Sequence, residues 1–171
     1  TLTAGLPGSP GGLENLSLFK KKLAEFSGFD KEFYRKNLKW FLERVLPVAE
    51  ELNVKLGIHP DDPPRPLLGL PRIVSTSEDI DWIFEAVPSP SNGLTLCVGT
   101  FGVRADNNLP EMAKQFGDKI FFAHLRSTAR DQGDHESFIE AGHIDGDIDM
   151  LAVIRALLDA GKDGRNIVFR P

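Results

Sequence analysis

Apolar runs short enough to be buried strands alternate with amphipathic stretches along this chain, and that alternation restricts its fold more than any other feature. The runs are Val54 to Ile58, Leu94 to Val98, Lys119 to Leu125 and Asn166 to Pro171. Ahead of the first, Asp30 to Leu52 carries Phe33, Leu38, Phe41, Leu42, Val45, Leu46, Val48 and Ala49 at three- and four-residue spacings. That pattern predicts one long helix, capped by Asp30 and bent or re-started at Pro47. Glu78 to Val87 reads as a second helix with Ser75 or Ser77 as N-cap. Leu109 to Phe116 reads as a third with Pro110 in its first turn, and Asp147 to Gly161 as a fourth closed by Gly161. Strands separated by helices pair in parallel through right-handed crossovers, so the expected class is α/β. The Gly/Pro-rich Ala4 to Gly12 excludes regular structure there, and Thr1 to Thr3 reads as the end of a strand.

At 171 residues, 41% of them apolar, the chain has the size of a single domain, residues 1–171. No run approaches the ~18 apolar residues of a membrane span, and the first residues lack the charged and apolar regions of a secretory signal. The single cysteine, Cys97, excludes an intramolecular disulfide framework and agrees with a reducing cytoplasm. The net charge of −5 comes from interspersed acids and bases, with Phe19 to Leu23 the only basic cluster. Neither a nucleic-acid face nor a membrane surface is indicated.

The chemistry-bearing residues fall at the ends of the strands. His59 directly follows the first run, Cys97 lies at the end of the second and His124 at the end of the third. In a parallel sheet those carboxyl ends share one edge, and in an eight-stranded barrel they ring the mouth where catalytic groups are mounted. The intervals, 38 and 27 residues, are near the roughly 30 residues of a βαβ repeat. Two histidines and a thiolate converging on one edge suit a borderline divalent transition metal. Taken singly, a histidine at a strand end is also a common hydrogen-bonded structural residue, and a cysteine in "TLCV" a small buried hydrophobe. Recurrence at equivalent strand ends favours the metal. The spacing differs from the tight CxxC pairs of zinc modules, so a site assembled by the fold is expected.

Two loops carry the remaining polar chemistry. Ala123 to Asp147 holds some twenty residues of expected loop with Arg126, Arg130, His135, Glu136 and His143. Arg126, two residues past His124, suits a guanidinium clamp on a substrate carboxylate, and equally an ion pair at the rim. His135 and Glu136 contact substrate or move protons on one reading and are solvated loop residues on the other. In "KLGIHPDDPPRP", Lys55 to Pro66, successive prolines fix the loop that leaves His59. Asp61 and Asp62 there orient His59, contact substrate or cap the turn. Gly99 to Met112 lacks GxGxxG spacing and is not a dinucleotide fingerprint.

Several of these stretches together resemble the mannonate dehydratase family, in order and at the expected distances. They are "IHPDDPPRPLLGLPRIVST" (Ile58 to Thr76), "SPSNGLTLCVGTFGVRADNNLPEM" (Ser89 to Met112), "FFAHLR" (Phe121 to Arg126), "DHESFIEAGHIDGDIDM" (Asp134 to Met150) and the final "FRP". The opening "AGLPGS" and Phe29 to Glu51 share the likeness, which spans nearly the whole chain. The resemblance implies a TIM (β/α)8 barrel of the xylose-isomerase-like kind, with this chain supplying about the C-terminal half and stopping before the last metal-ligand motif. It implies a Mn2+- or Fe2+-dependent lyase that dehydrates D-mannonate to 2-keto-3-deoxy-D-gluconate in hexuronate catabolism. Such an enzyme works in the cytoplasm on a small sugar acid, generally as a homo-oligomer. Matched residue by residue, His59, Cys97 and His124 stand at three of the family's metal ligands. Arg126 and His135 are expected to hold substrate. The family's fourth ligand, an Asp in a "DHG" motif after "RP", and the catalytic His beside it are expected beyond Arg170 and Pro171.

A TIM barrel needs ~250 residues, so four strands and a possible fifth make about half of one. Two other classes stay open. A sugar isomerase or metal-dependent endonuclease of the same superfamily favours carboxylate ligands, against which the thiolate argues. A non-catalytic module would bind only metal, ligand or partner.

Overall fold

The computed structural model describes residues 16–133, 137–162, 164 and 166–171. It opens with α1 (Leu16–Phe26), a helix that the apolar spacing did not announce, followed by α2 (Lys31–Glu51). Asp30 stays extended, and its carboxylate accepts the Phe33 N–H at 2.8 Å, satisfying a donor that a helix N-terminus leaves free. The restart expected at Pro47 does not occur. The helix continues to Glu51 because Leu46 and Ala49, on either side of the proline, are buried and hold the turn despite the missing hydrogen bond.

The order thereafter is β1 (Leu56–Ile58), α3 (Ser77–Ala86), β2 (Asn92–Cys97), α4 (Val98–Gly102), α5 (Leu109–Gln115), β3 (Ile120–His124), β4 (Thr128–Arg130), β5 (Phe138–Glu140), α6 (Met150–Ala160) and β6 (Val168–Arg170). Four strands form one sheet in the order β1-β2-β3-β6, and every pairing in it is parallel. The expected α/β class with its parallel sheet is therefore the architecture found.

Three local expectations are corrected. The N-cap of α3 is Thr76, not Ser75 or Ser77: its hydroxyl accepts the Asp79 N–H at 3.3 Å, while Ser77 is already helical and the Ser75 N–H turns to the Asp79 carboxylate. The second strand ends at Cys97, because Val98 begins the one-turn helix α4. Ala123 to Asp147 is not a plain loop, since β4 and β5 pair there as an antiparallel hairpin with Thr128 opposite Glu140. Asp147 anchors that hairpin. Its carboxylate accepts the Arg130 N–H at 2.7 Å and its own N–H reaches the Thr128 carbonyl at 3.0 Å. The strands are three residues each, too short for a period-two pattern to be read.

The core is one apolar cluster built on alternate strand positions. Leu94 and Leu96 of β2, with Ala123 of β3, face Ile80 and Ile83 of α3, Met112 of α5, Val153 and Leu157 of α6, and Leu42 and Leu46 of α2. Successive side chains of a strand point to opposite faces, so Thr95 and Cys97 stand on the face away from this core. A buried carboxylate ties α2 to α3: Asp79 accepts from Arg35 Nη2 at 2.9 Å and pairs with Lys31. The guanidinium of Arg35 also lies 4.8 Å above the Trp82 ring. Among the described residues no helix is long and apolar enough to cross a membrane. Thr1 to Thr3 and Ala4 to Gly12 lie outside the described residues.

Burial decides which leucines hold this layer together. Leu94→Ala removes a fully buried side chain from the central strand and is expected to cost about 3 to 4 kcal/mol, whereas Leu151→Ala on the exposed side of α6 should cost under about 1 kcal/mol. Urea unfolding followed by circular dichroism reads the difference as midpoints displaced by unequal amounts at an unchanged slope.

Candidate metal centre

The sheet register carries three donor side chains to one edge. Cys97, the last residue of β2, is in register with His124, the last of β3, while Ile58 of β1 aligns with Leu94, one residue before Thr95. His59 therefore leaves β1 on the face that carries Thr95 and Cys97, opposite the core. Imidazole nitrogens of His59 and His124 and the sulfur of Cys97 all lie within 4.8 Å of one another. The two rings are 6.3 Å apart between centroids. Cys97 is fully buried, His124 half-buried and His59 exposed, so the cluster opens to solvent from the His59 side.

Hydrogen bonds set the protonation of the cluster. His59 Nδ1 is 2.8 Å from the Pro60 carbonyl, which only accepts, so Nδ1 carries the hydrogen and a neutral ring keeps its lone pair on Nε2. The hydrogen bond with Cys97 raises the pKa of His59 above its ordinary value; burial opposes the shift and the Pro60 carbonyl reinforces it. Burial alone would push the Cys97 thiol up, but hydrogen bonds from His59 and from the hydroxyl and backbone N–H of Thr100 outweigh it, and the thiol ends below its usual range. His124 is held low, first by burial and then by the charges of His59, Arg170 and Arg126. Arg170 is there because β6 pairs in register with β3, setting it beside His124. Its position in the final "FRP" gave no sign of this.

Arg126 sits over the cluster in a frame of acceptors. Its Nε donates to Glu140 at 2.9 Å, its Nη2 donates to Glu140 at 2.5 Å, and its Nη1 donates to Asp62 at 2.7 Å and to the Thr100 hydroxyl at 3.2 Å. Glu140 above all, then Asp62, raises the guanidinium pKa beyond its already high value. The same contact lowers the Glu140 carboxyl. The stem of Arg126 crosses Gly99, where an added Cβ would come within 2.6 Å of it, so only glycine admits this path. Arg126 therefore forms ion pairs at the rim. Asp62 is its partner, and Asp61 closes the proline-rich loop by accepting the Ile73 and Val74 N–H groups at 2.8 and 2.9 Å.

The long segment after His124 divides between two regions. His143 lines a cavity of about 380 Å³ with His124, Arg126 and Glu140. Arg130 turns away, its Nη1 donating to the Gly102 carbonyl at 3.0 Å and its Nε pairing with Asp147. His135 and Glu136 lie outside the described residues. Thr100 and Glu140 were not singled out in the sequence: Thr100 follows Cys97 by one helical turn that no periodicity marks, and Glu140 reaches Arg126 only through the hairpin.

Comparison with known proteins agrees in one direction. The family model described as D-mannonate dehydratase (UxuA) matches residues 1–171. A mannonate dehydratase of Marinomonas sp. (strain MWYL1) is 55% identical over 157 residues, covering 92% of this chain and 40% of its own length. That of Chromohalobacter salexigens is 53% identical over 160 residues, with the same two coverages. The chain thus spans about 40% of the length of the curated relatives it matches. The crystal structure of mannonate dehydratase from Streptococcus suis serotype 2 superposes with a TM-score of 0.80 at 30% identity, over 99% of this chain and 46% of that one. An IolI protein solved with a bound zinc atom shares the fold, with a TM-score of 0.58 at 22% identity, over 91% of this chain and 59% of that one. Matched along its whole length by the family model, the chain belongs to the D-mannonate dehydratase family.

Proposed function

We propose that this chain supplies three metal ligands and part of the substrate pocket of an enzyme that dehydrates D-mannonate to 2-keto-3-deoxy-D-gluconate. The observation that carries the reading is the meeting of two imidazoles and one sulfur within 4.8 Å at the carboxyl ends of adjacent parallel strands. The parallel sheet is read as an arc of about half of a (β/α)8 barrel, whose active sites lie at that end.

The donor set fits a divalent ion of the Mn2+ or Fe2+ kind. Nitrogen and sulfur donors suit first-row transition metals, the His59 ring has its Nδ1 committed to Pro60, and the Cys97 thiol is already displaced toward thiolate. When bound, such an ion supplies Lewis-acid stabilisation of the charge that develops beside the substrate carboxylate. The chain's own residues bind and orient. Among the described residues one Nη2 hydrogen of Arg126 has no partner, and the exposed Glu140 can yield the fork to an incoming sugar-acid carboxylate. His135 is proposed to hold substrate with Arg126, and His143 is added to them because it lines the same cavity as Arg126. A cytoplasmic setting keeps Cys97 reduced. Association, as homo-oligomer or with further strands, is supported by β6, whose three residues are all exposed at the edge of the sheet.

Single replacement of His59, Cys97 or His124 by Ala should weaken Mn2+ binding at least tenfold in titration calorimetry without abolishing the fold, because each removes one donor from a site at the sheet's open edge. The activity is tested by assaying formation of the 2-keto-3-deoxy acid from D-mannonate with and without Mn2+. The assay uses both this chain and a version extended to the length of its relatives. Metal-dependent product from the extended protein is expected; metal binding without product there would sink the lyase reading.

A further inference from the structure

We propose that Thr100 is a positioning residue for the Cys97 sulfur, donating its hydroxyl hydrogen to the thiolate while Arg126 donates to the same oxygen. The inference rests on Cys97 being a metal ligand and gives a role to a residue that the reading of the sequence did not single out. Thr100 is fully buried in α4, one turn after Cys97. Its Oγ1 lies 3.1 Å from Cys97 Sγ and 3.2 Å from Arg126 Nη1.

The polarity of this chain of contacts follows from the inventory of donors. A guanidinium carries five N–H donors and no acceptor, so Thr100 Oγ1 accepts from Arg126. The oxygen keeps a second lone pair, so the sulfur decides the rest: a metal-bound thiolate has no hydrogen to give, and Thr100 donates to it. Thr100 is fully buried, so the packing around it holds its side chain in that arrangement. The Nη1 end of Arg126 is kept against Thr100 by Asp62 and by the seat of the stem over Gly99, whichever carboxylate faces Nε and Nη2. Glu140 holds Nε and Nη2, Asp62 holds Nη1, and the stem is seated over Gly99. Arg126, donating to the same oxygen, polarises the hydroxyl that meets the sulfur.

A hydrogen bond donated to a metal-bound thiolate draws electron density from the sulfur and weakens its donation to the metal, leaving the ion a stronger Lewis acid. A threonine that only filled space would have no such effect. Val has the same shape without the hydroxyl, and Ser keeps the hydroxyl without the methyl group, so the two substitutions separate the roles.

The protein is loaded with Co2+ and the thiolate-to-cobalt charge-transfer band is recorded in the near ultraviolet. Thr100→Val is expected to move the band to longer wavelength, as the sulfur electrons rise in energy, and Thr100→Ser to return it to the wild-type position. Arg126→Met, which leaves Thr100 in place and tests the proposal even if Thr100→Val does not fold, should move the band the same way by a smaller amount. The double variant should match Thr100→Val alone, since without the hydroxyl Arg126 has no route to the sulfur. An unmoved band in Thr100→Val or Arg126→Met, a band that stays displaced in Thr100→Ser, or a double variant that sums the two single shifts overturns the proposal. If the wild-type protein itself gives no thiolate band with Co2+, the ligand reading of Cys97 fails before any role of Thr100 is reached.

Discussion

Everything at the site depends on the parallel pairing of β1, β2 and β3. Because parallel strands end on the same edge, a histidine after one, a cysteine ending the next and a histidine ending the third meet without any loop having to bring them together. Register then decides the face. Cys97 stands opposite His124, and Leu96 opposite Ala123, so the pair that faces the core and the pair that faces the site differ by a single residue. A slip of one position would bury the donors among Ile80, Met112 and Val153 and turn Leu96 to the open face. The apolar layer of α3, α5 and α6 therefore does more than stabilise the sheet: by claiming Leu94 and Leu96 it fixes where the sulfur points.

The second level of organisation is electrostatic and comes from segments distant in sequence. Asp62 belongs to the loop after β1, Thr100 to the turn after β2, Arg126 to the segment after β3 and Glu140 to the hairpin beyond it. Each strand thus sends a ligand to the edge and then, within a few residues, a polar group that converges on one guanidinium. Asp61 serves the same end indirectly, pinning the proline-rich loop to Ile73 and Val74 so that its neighbour Asp62 is held in place. Preorganisation of this kind lets a bound group meet fixed dipoles instead of ordering mobile ones.

How much of this was legible depended on the range of the signal. The helix over Lys31–Glu51, its Asp30 cap and the strand ends at His59, Cys97 and His124 rest on local periodicity and capping chemistry, which a sequence displays directly. Thr76 displaced the two serines as cap because the choice among three adjacent hydroxyls is made by backbone dihedrals, and Thr76 alone of the local candidates reaches the Asp79 N–H. The β4–β5 hairpin was hidden because its two three-residue strands are set by Asp147, seventeen residues from the Arg130 N–H it accepts. Arg170 and Glu140 entered the site through strand pairing, and pairing between short strands leaves no pattern in composition.

Charge at the edge has a consequence for the order in which the proposed ligands are favoured. Arg126 faces two carboxylates, Asp62 and Glu140, and beside them Cys97 is displaced toward its anionic form. Two guanidiniums, Arg126 and the Arg170 set beside His124, face that set together with His59, whose affinity for protons is raised, so the edge has no large excess of either sign. A sugar-acid carboxylate arriving there meets Asp62 and Glu140 with no net attraction to offset them. A cation held by His59, Cys97 and His124 would make the edge positive, because a bound divalent ion is the largest charge in its neighbourhood. A substrate carboxylate then gains from the metal what it loses to Asp62, and the bond between Arg126 and Glu140, exposed on the Glu140 side, becomes the one most readily exchanged for it. On the proposed reading, metal therefore precedes substrate for an electrostatic reason built from residues on four separate segments of the chain.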